Sequence, residues 1–151
     1  MCFDKDLIPV GVLLGRCDHL VHMRMDRQLR GYGVTPIQCR SLLYLHACGG
    51  GATQKQLQEH LMVKPSTVNG IVDRLEEKGL VQRSTDQLDG RRRQLRLTAQ
   101  SRSFFDEFTA ITQEVADCIQ RGFAPEEAEQ LRLLLGRVVT NLQSETEEVD
   151  L

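Results

Sequence analysis

Three consecutive arginines, Arg91–Arg93, directly follow Asp89 and Gly90 in the chain. Guanidinium groups bind phosphate oxygens through charge-assisted hydrogen bonds, and a dense run of them is typical of a surface that contacts nucleic acid. We interpret Arg92 and Arg93 as phosphate-binding residues. A glycine in a polar connection also favours a hairpin, so the arginines are expected at its tip.

A second group of polar side chains lies at the start of a predicted helix. Pro65 suits the first helical turn, where its missing N–H costs nothing. Residues near the start of a helix reach base edges when the helix enters a major groove. Ser66 and Thr67 can then donate to phosphates or bases, and Asn69 can pair with adenine N6 and N7. The candidates in this segment are Lys64, Pro65, Ser66, Thr67, Asn69 and Gly70.

Three further residues are candidate phosphate contacts. Arg74 lies two turns along the same helix, although an ion pair with Asp89 or Glu77 is an equally plausible role. Thr53 and Gln54 begin the preceding predicted helix, where backbone N–H groups bind anions.

The elements that position these residues can be read from the apolar spacing. Val68, Ile71, Val72 and Leu75 recur at helical intervals, and Gly79 is a typical helix end. Residues 80–83 and 94–98 read as short strands, the second with the alternation of a half-buried strand. With a short helix capped by Thr53 and a turn at 62–64, the pattern predicts a helix-turn-helix followed by a basic hairpin, which is a winged helix.

This order of motifs resembles the MarR family of bacterial transcriptional regulators. The similarity lies in the run from Leu75 to Val81, LEEKGLV, in the wing at 89–91 followed by 95–98, and in the upstream segment 34–38. The resemblance implies that Arg91 enters a minor groove and that Asp89 orients it. Gly70 departs from the arginine that is frequent at its position in the family, which makes that groove contact uncertain.

Helices are predicted on both sides of the winged helix. They are expected from Leu7 to Leu29, from Pro36 to a Gly49–Gly51 loop, from Ala99 to Phe123, and from Pro125 onwards. The last helix carries more apolar surface than a small winged domain can cover, which favours a second copy as its partner, with an intrachain core as the alternative. The expected fold is mainly α (α+β), with residues 1–34 and 99–151 forming a dimerisation bundle around a DNA-binding region at 35–98.

The resemblance also implies regulation by small aromatic or anionic effectors or by cysteine oxidation. Candidate pocket residues are Arg16, His19, His22, Arg40 and Tyr44. Cys17 lies on the apolar stripe of the first helix, which favours a buried, inert thiol. Because neighbouring cations lower a thiol pKa, Arg16 and His19 keep a redox sensor open as the alternative.

Charge and composition are consistent with this interpretation. The net charge of −2 conceals nine Lys/Arg against five Asp/Glu in residues 64–102, and three against eleven in residues 103–151. Such asymmetry is typical of a DNA-facing lobe joined to an acidic one. The five cysteines lack the CxxC spacing of a zinc ribbon, and no secretory signal or membrane span is recognisable, so we expect a cytoplasmic protein with reduced thiols.

No catalytic motif is present, and we expect neither an enzyme nor a cofactor or metal site. The predicted function is a sequence-specific DNA-binding regulator, more often a repressor in this family, that acts as a homodimer on a pseudo-palindromic operator with half-sites about 10 to 10.5 bp apart. A winged helix that binds only proteins is the alternative. The three wing arginines argue against it, because protein contact does not require them.

Overall fold

The computed structural model describes residues 8–85 and 93–149, and the predicted wing tip, with Asp89, Arg91 and Arg92, lies outside them. The chain divides into two compact units, Met1–Val115 and Ala116–Leu151. The elements are, in order, helices α1 (Val10–Leu29), α2 (Pro36–Ala47), strand β1 (Gly51–Thr53), α3 (Gln54–Leu61), α4 (Pro65–Glu77), β2 (Val81–Thr85), β3 (Arg93–Leu97), α5 (Ala99–Ser103), α6 (Phe105–Ile119) and α7 (Pro125–Val149).

The predicted fold class is confirmed: the chain is mainly helical with a small antiparallel sheet. The described core lies in the first unit, where Leu29, Leu45, Leu57, Val72, Leu75 and Leu95 are fully buried. Phe108 of α6 completes this core. Its ring packs edge to face against that of Tyr32, with ring centroids 5.3 Å apart. An ion pair of 2.9 Å between Arg24 and Glu114 joins α1 to α6.

The sheet has three strands in the order β1-β3-β2, not the two that the sequence predicts. The expected loop at Gly49–Gly51 is therefore wrong at its last residue, because Gly51 begins β1 and pairs with Arg96. A Cβ atom at Gly51 would lie 2.8 Å from the Leu95 carbonyl oxygen. Only glycine permits this approach, which brings the start of α3 beside the wing strands.

The single helix expected over 99–123 is also wrong. Thr98 caps a separate short helix, α5, by accepting a hydrogen bond from Ser101 N–H at 3.3 Å. Phe104 then interrupts the helix and packs against Tyr32, with ring centroids 5.5 Å apart. The following helix, α6, ends at Ile119 rather than at residue 123.

The α1 and α7 helices keep large apolar side chains exposed in the single chain. Only Met25 and Leu29 are buried in α1. In α7 the apolar residues Leu131, Leu134, Leu135 and Val138 fall within one face at helical spacing, and Leu134 remains 46% exposed. None of the described helices is both long and apolar enough to cross a bilayer.

Candidate nucleic-acid interface

The start of α4 is exposed and has no side-chain cap. Lys64 occupies the N-cap position with extended backbone, and Pro65 is the first helical residue. By contrast, Thr35 and Thr53 form reciprocal capping boxes at the starts of α2 and α3. Pro65 has no N–H, and those of Thr67 and Val68 donate to the Lys64 carbonyl at 3.0 and 3.1 Å. The Ser66 N–H is therefore left for solvent or a ligand, beside a cation that the helix dipole does not favour.

The buried side of α4 fixes which residues face outward. Val68, Ile71, Val72 and Leu75 are buried, as predicted. The residues that this orientation leaves exposed are Lys64, Pro65, Ser66, Thr67, Gly70 and Arg74, whereas Asn69 is half-buried. One surface thus contains all of these predicted contacts, with polar groups at the helix start and a guanidinium two turns further on.

Gly70 is not explained by close packing within the chain. A Cβ atom built there would meet no atom within 4 Å. The surface of α4 is therefore open at this position, and a larger side chain would fit without a clash in the described part of the protein.

The C-terminal end of α4 is held by a glycine cap and by hydrogen bonds of Lys78. Gly79 takes a positive φ of 70°, and the Leu80 N–H donates to the Leu75 carbonyl at 2.9 Å, which is the Schellman arrangement. The Lys78 ammonium group donates to the Gly33 carbonyl at 2.5 Å and to Gln38 Oε1 at 2.7 Å. These bonds fix the recognition helix against the start of α2.

The start of α3 lies against α4 through polar groups. Gln54 Nε2 donates a hydrogen bond to Asn69 Oδ1, so two predicted DNA-contacting residues touch one another. The Thr53 N–H already donates to Gln56 Oε1 at 2.9 Å. The sequence predicts that the N–H groups of Thr53 and Gln54 bind phosphate. The Thr53 N–H is already bonded within the capping box.

Arg83 is a residue that the sequence interpretation missed. It lies in β2, and its guanidinium contacts Asp73 Oδ1 at 2.5 Å and Glu76 at 3.7 Å on α4. Its backbone N–H also donates to Glu76 at 3.2 Å. The sequence signal that could have identified Arg83 is the pair of acids on α4, Asp73 and Glu76, followed by a strand that carries an arginine. Arg83 thus joins the base of the wing to the recognition helix.

The predicted wing arginines are only partly described. Arg93 begins β3, opposite Thr85 of β2, while Arg91 and Arg92 belong to the undescribed tip. The alternative Arg74 partner Glu77 makes no ion pair with it in the described residues.

The predicted effector residues lie on α1 and α2, and their role as a pocket stays a prediction. Arg16, His19, His22 and Arg40 are exposed, and Tyr44 stacks on His60 with ring centroids 4.1 Å apart. A hydrogen bond with Cys48 raises the pKa of Tyr44. An open cavity of about 510 Å³ lies between α4 and the wing strands, and none of the five predicted residues lines it.

The cysteines differ in accessibility. Cys17, which the sequence predicts to be buried, is exposed in the single chain, where no described residue covers it. Cys39 is fully buried, and burial raises its pKa to about 11. Within the described residues, no group of three or more His, Cys, Asp or Glu side chains is placed to hold a metal ion.

A helix-turn-helix whose second helix presents an open polar start beside a basic hairpin defines a winged-helix DNA-binding protein. The MarR family model matches residues 32–92. A probable transcriptional regulator from Pseudomonas aeruginosa is 30% identical, covers 85% of this chain and 96% of its own, and superposes with a TM-score of 0.77.

MepR of S. aureus, in a complex with DNA, is 26% identical, with coverage of 89% and 98% and a TM-score of 0.83. Bordetella bronchiseptica BpsR, whose DNA binding is regulated by 6-hydroxynicotinic acid, has the same fold at 21% identity, with coverage of 92% and 98% and a TM-score of 0.79. This chain belongs to the MarR family of DNA-binding transcriptional regulators.

Proposed function

We propose that this chain is a homodimeric transcriptional repressor that binds a pseudo-palindromic operator in the cytoplasm and is released by a small aromatic or anionic effector. The observation that carries the proposal is the exposed start of α4, which has no side-chain cap and carries Lys64, Ser66 and Thr67. A helix end of this kind can bind a phosphate through its remaining N–H, that of Ser66, and it places hydroxyls near base edges.

The contacts are proposed in three sets. Ser66, Thr67 and Asn69 face bases, Lys64 and Arg74 face phosphates together with the start of α3, and the wing arginines flank the groove. The DNA complex of MepR supports this assignment by similarity.

The exposed apolar faces of α1 and α7 support a two-fold dimer. In this proposal residues 1–34 and 99–151 form the dimerisation region, and residues 35–98 bind DNA. A dimer places two copies of α4 about one helical turn of DNA apart, which is the spacing of a pseudo-palindrome.

Effector release is supported by BpsR, whose DNA binding responds to a small aromatic acid. Thiol oxidation is a second candidate for the release mechanism, because Cys17 is exposed. Treatment with peroxide distinguishes thiol oxidation from effector binding as the release mechanism. Peroxide would abolish DNA binding by the wild-type protein and not by Cys17→Ser if the thiol is the sensor, and would affect neither protein if it is not.

The function itself is tested by a mobility shift on the intergenic DNA upstream of the coding sequence, with unrelated duplex as competitor. We expect a discrete complex with one dimer per site that resists competitor. A protein that binds no duplex, or binds all duplexes alike, would contradict the repressor proposal and favour a protein-interaction module.

A further inference from the structure

The contact between Gln54 and Asn69 sets the orientation of a DNA-facing amide. Gln54 is the first residue of α3, Asn69 lies in the second turn of α4, and Gln54 Nε2 donates to Asn69 Oδ1. Both residues are half-buried beside the open start of α4. The bond therefore fixes a side chain that would otherwise rotate freely in front of a bound base.

The direction of this hydrogen bond has a physical cause. Gln54 Oε1 is buried and has no hydrogen-bond partner in the described residues. If both amides were reversed, the Gln54 NH₂ group would occupy that position, with its donors unpaired. A buried unpaired N–H is rarer in proteins than a buried carbonyl oxygen with free lone pairs. The arrangement in which Gln54 donates is therefore favoured.

This direction determines what Asn69 can offer to DNA. Its Oδ1 points at Gln54, so its Nδ2 donor is the part of the amide that remains for a base. In the major groove guanine presents the acceptors N7 and O6, thymine presents O4, and adenine presents N7 beside its amino donor, whereas cytosine presents only an amino donor. A lone donor therefore finds a partner on every base except cytosine. The bidentate pairing of Asn69 with adenine, expected from the sequence, requires Oδ1 to accept from N6 and is disfavoured here.

We propose that Gln54 is a specificity-determining residue that acts through Asn69 and makes the protein discriminate against cytosine at one position of each half-site. The proposal rests on the proposed function, since it requires α4 to enter the major groove. Gln54 acts as a positioning residue, because Asn69 makes the contact with the base.

The test measures base preference with the full-length protein. Competition binding is measured on operator duplexes that carry each of the four base pairs at every half-site position, first for the wild type and then for Asn69→Ala. The position at which Asn69→Ala flattens the preference is the one that Asn69 reads. We expect the wild type to disfavour cytosine there by about three- to tenfold, the value of one hydrogen bond.

Gln54→Glu reverses the geometry at nearly constant shape. A carboxylate accepts from Asn69 Nδ2, so the amide turns and presents Oδ1, and the preference moves to adenine or cytosine at that position alone. Gln58→Glu adds the same charge one turn along α3 and is expected to weaken binding to all duplexes equally. Gln54→Met removes the donor without adding charge and is expected to relax the preference.

The outcomes separate this inference from the proposed function. Specific binding by the wild type, with a preference that Gln54→Glu and Gln54→Met leave unchanged, would overturn the role of Gln54 alone. A base preference indifferent to Asn69→Ala would do the same. If these variants only lower the melting temperature, the bond merely joins α3 to α4, and the proposal is wrong. Failure of the wild type to bind any operator would overturn the proposed function first.

Discussion

Arg83 holds the base of the wing against the recognition helix. Its guanidinium is 23% exposed and contacts Asp73 and Glu76, which are themselves largely open to water. Ion pairs that exposed contribute little to stability, about 0 to 1 kcal/mol. The contact therefore matters through geometry, since it fixes the position of strand β2 against α4.

Gly70 provides a test of how closely α4 approaches DNA. Gly70→Ala should stabilise the protein by up to about 1 kcal/mol, because alanine favours the helix and its Cβ meets no atom within 4 Å. If the helix backbone lies close to the bases, the same change lowers operator affinity. Urea unfolding and operator titration measure the two effects.

Gly136→Ala in α7 is the matched control, since a Cβ there also meets nothing within 4 Å. It should give a similar gain in stability with unchanged DNA affinity. A loss of stability in Gly70→Ala would contradict the open surface at this position.

Cys39 predicts a pH dependence of stability. Its pKa is raised by burial from 9.0 to about 11, so between these values the unfolded chain loses the thiol proton and the folded chain keeps it. The free energy of unfolding should therefore fall as pH rises from 9 to 11, by about 1.4 kcal/mol per pH unit from this group. The stabilities of wild type and Cys39→Ala, compared by urea unfolding across this range, isolate the contribution. Parallel pH profiles for the two proteins would refute it.

The start of α4 lacks a side-chain cap, and in the proposed function it contacts DNA instead. Lys64→Ser supplies the missing N-cap hydroxyl, on a backbone that is already extended, and should stabilise the protein by about 1 kcal/mol. It should also weaken operator binding, because a phosphate contact is lost in each protomer. Thermal unfolding and operator titration measure both effects.

Arg137→Ser, in α7, removes one positive charge outside the winged helix and is the control for net charge. Its operator affinity should stay close to that of the wild type. Equal weakening by the two variants would mean that Lys64 acts only through the overall charge.

Helix ends were predictable because their signals are local. Thr35, Thr53 and Gly79 mark their boundaries by side-chain chemistry within a few residues, and the structure confirms all three. The break between α5 and α6 was not predictable, because the apolar spacing continues through it. It depends on Phe104 packing against Tyr32, which is distant in sequence.

Strand β1 was not predicted for a similar reason. Gly51 has no strand propensity of its own, and only pairing with Arg96 makes its segment a strand. The candidate site was partly predictable: the spacing of α4 identified its outward face. The direction of the Gln54–Asn69 bond could not be predicted, since it depends on a buried acceptor that only the packed structure reveals.

In the proposed dimer the exposed apolar face of α7 lies at the interface. Leu134→Glu places a charge on that face, and we expect it to shift the protein from dimer to monomer, since burying an unpaired carboxylate is costly. Sedimentation equilibrium measures the change.

Thr140→Glu adds the same charge to the opposite side of α7 and should leave the dimer intact. A Leu134→Glu protein that dimerises as tightly as the wild type would show that this face is not the interface.

The salt dependence of DNA binding tests most directly whether the winged helix acts on duplex DNA. Fluorescence anisotropy on the upstream intergenic fragment, titrated at several salt concentrations, gives the slope of log K against log salt. Each phosphate neutralised contributes about 0.9 to that slope. Replacing Arg91–Arg93 by alanine removes two predicted phosphate contacts per protomer. The account predicts steep, sequence-specific binding by the wild type and a slope shallower by about 3 to 4 in the variant dimer. Equal affinity and equal slope in the two proteins would contradict it.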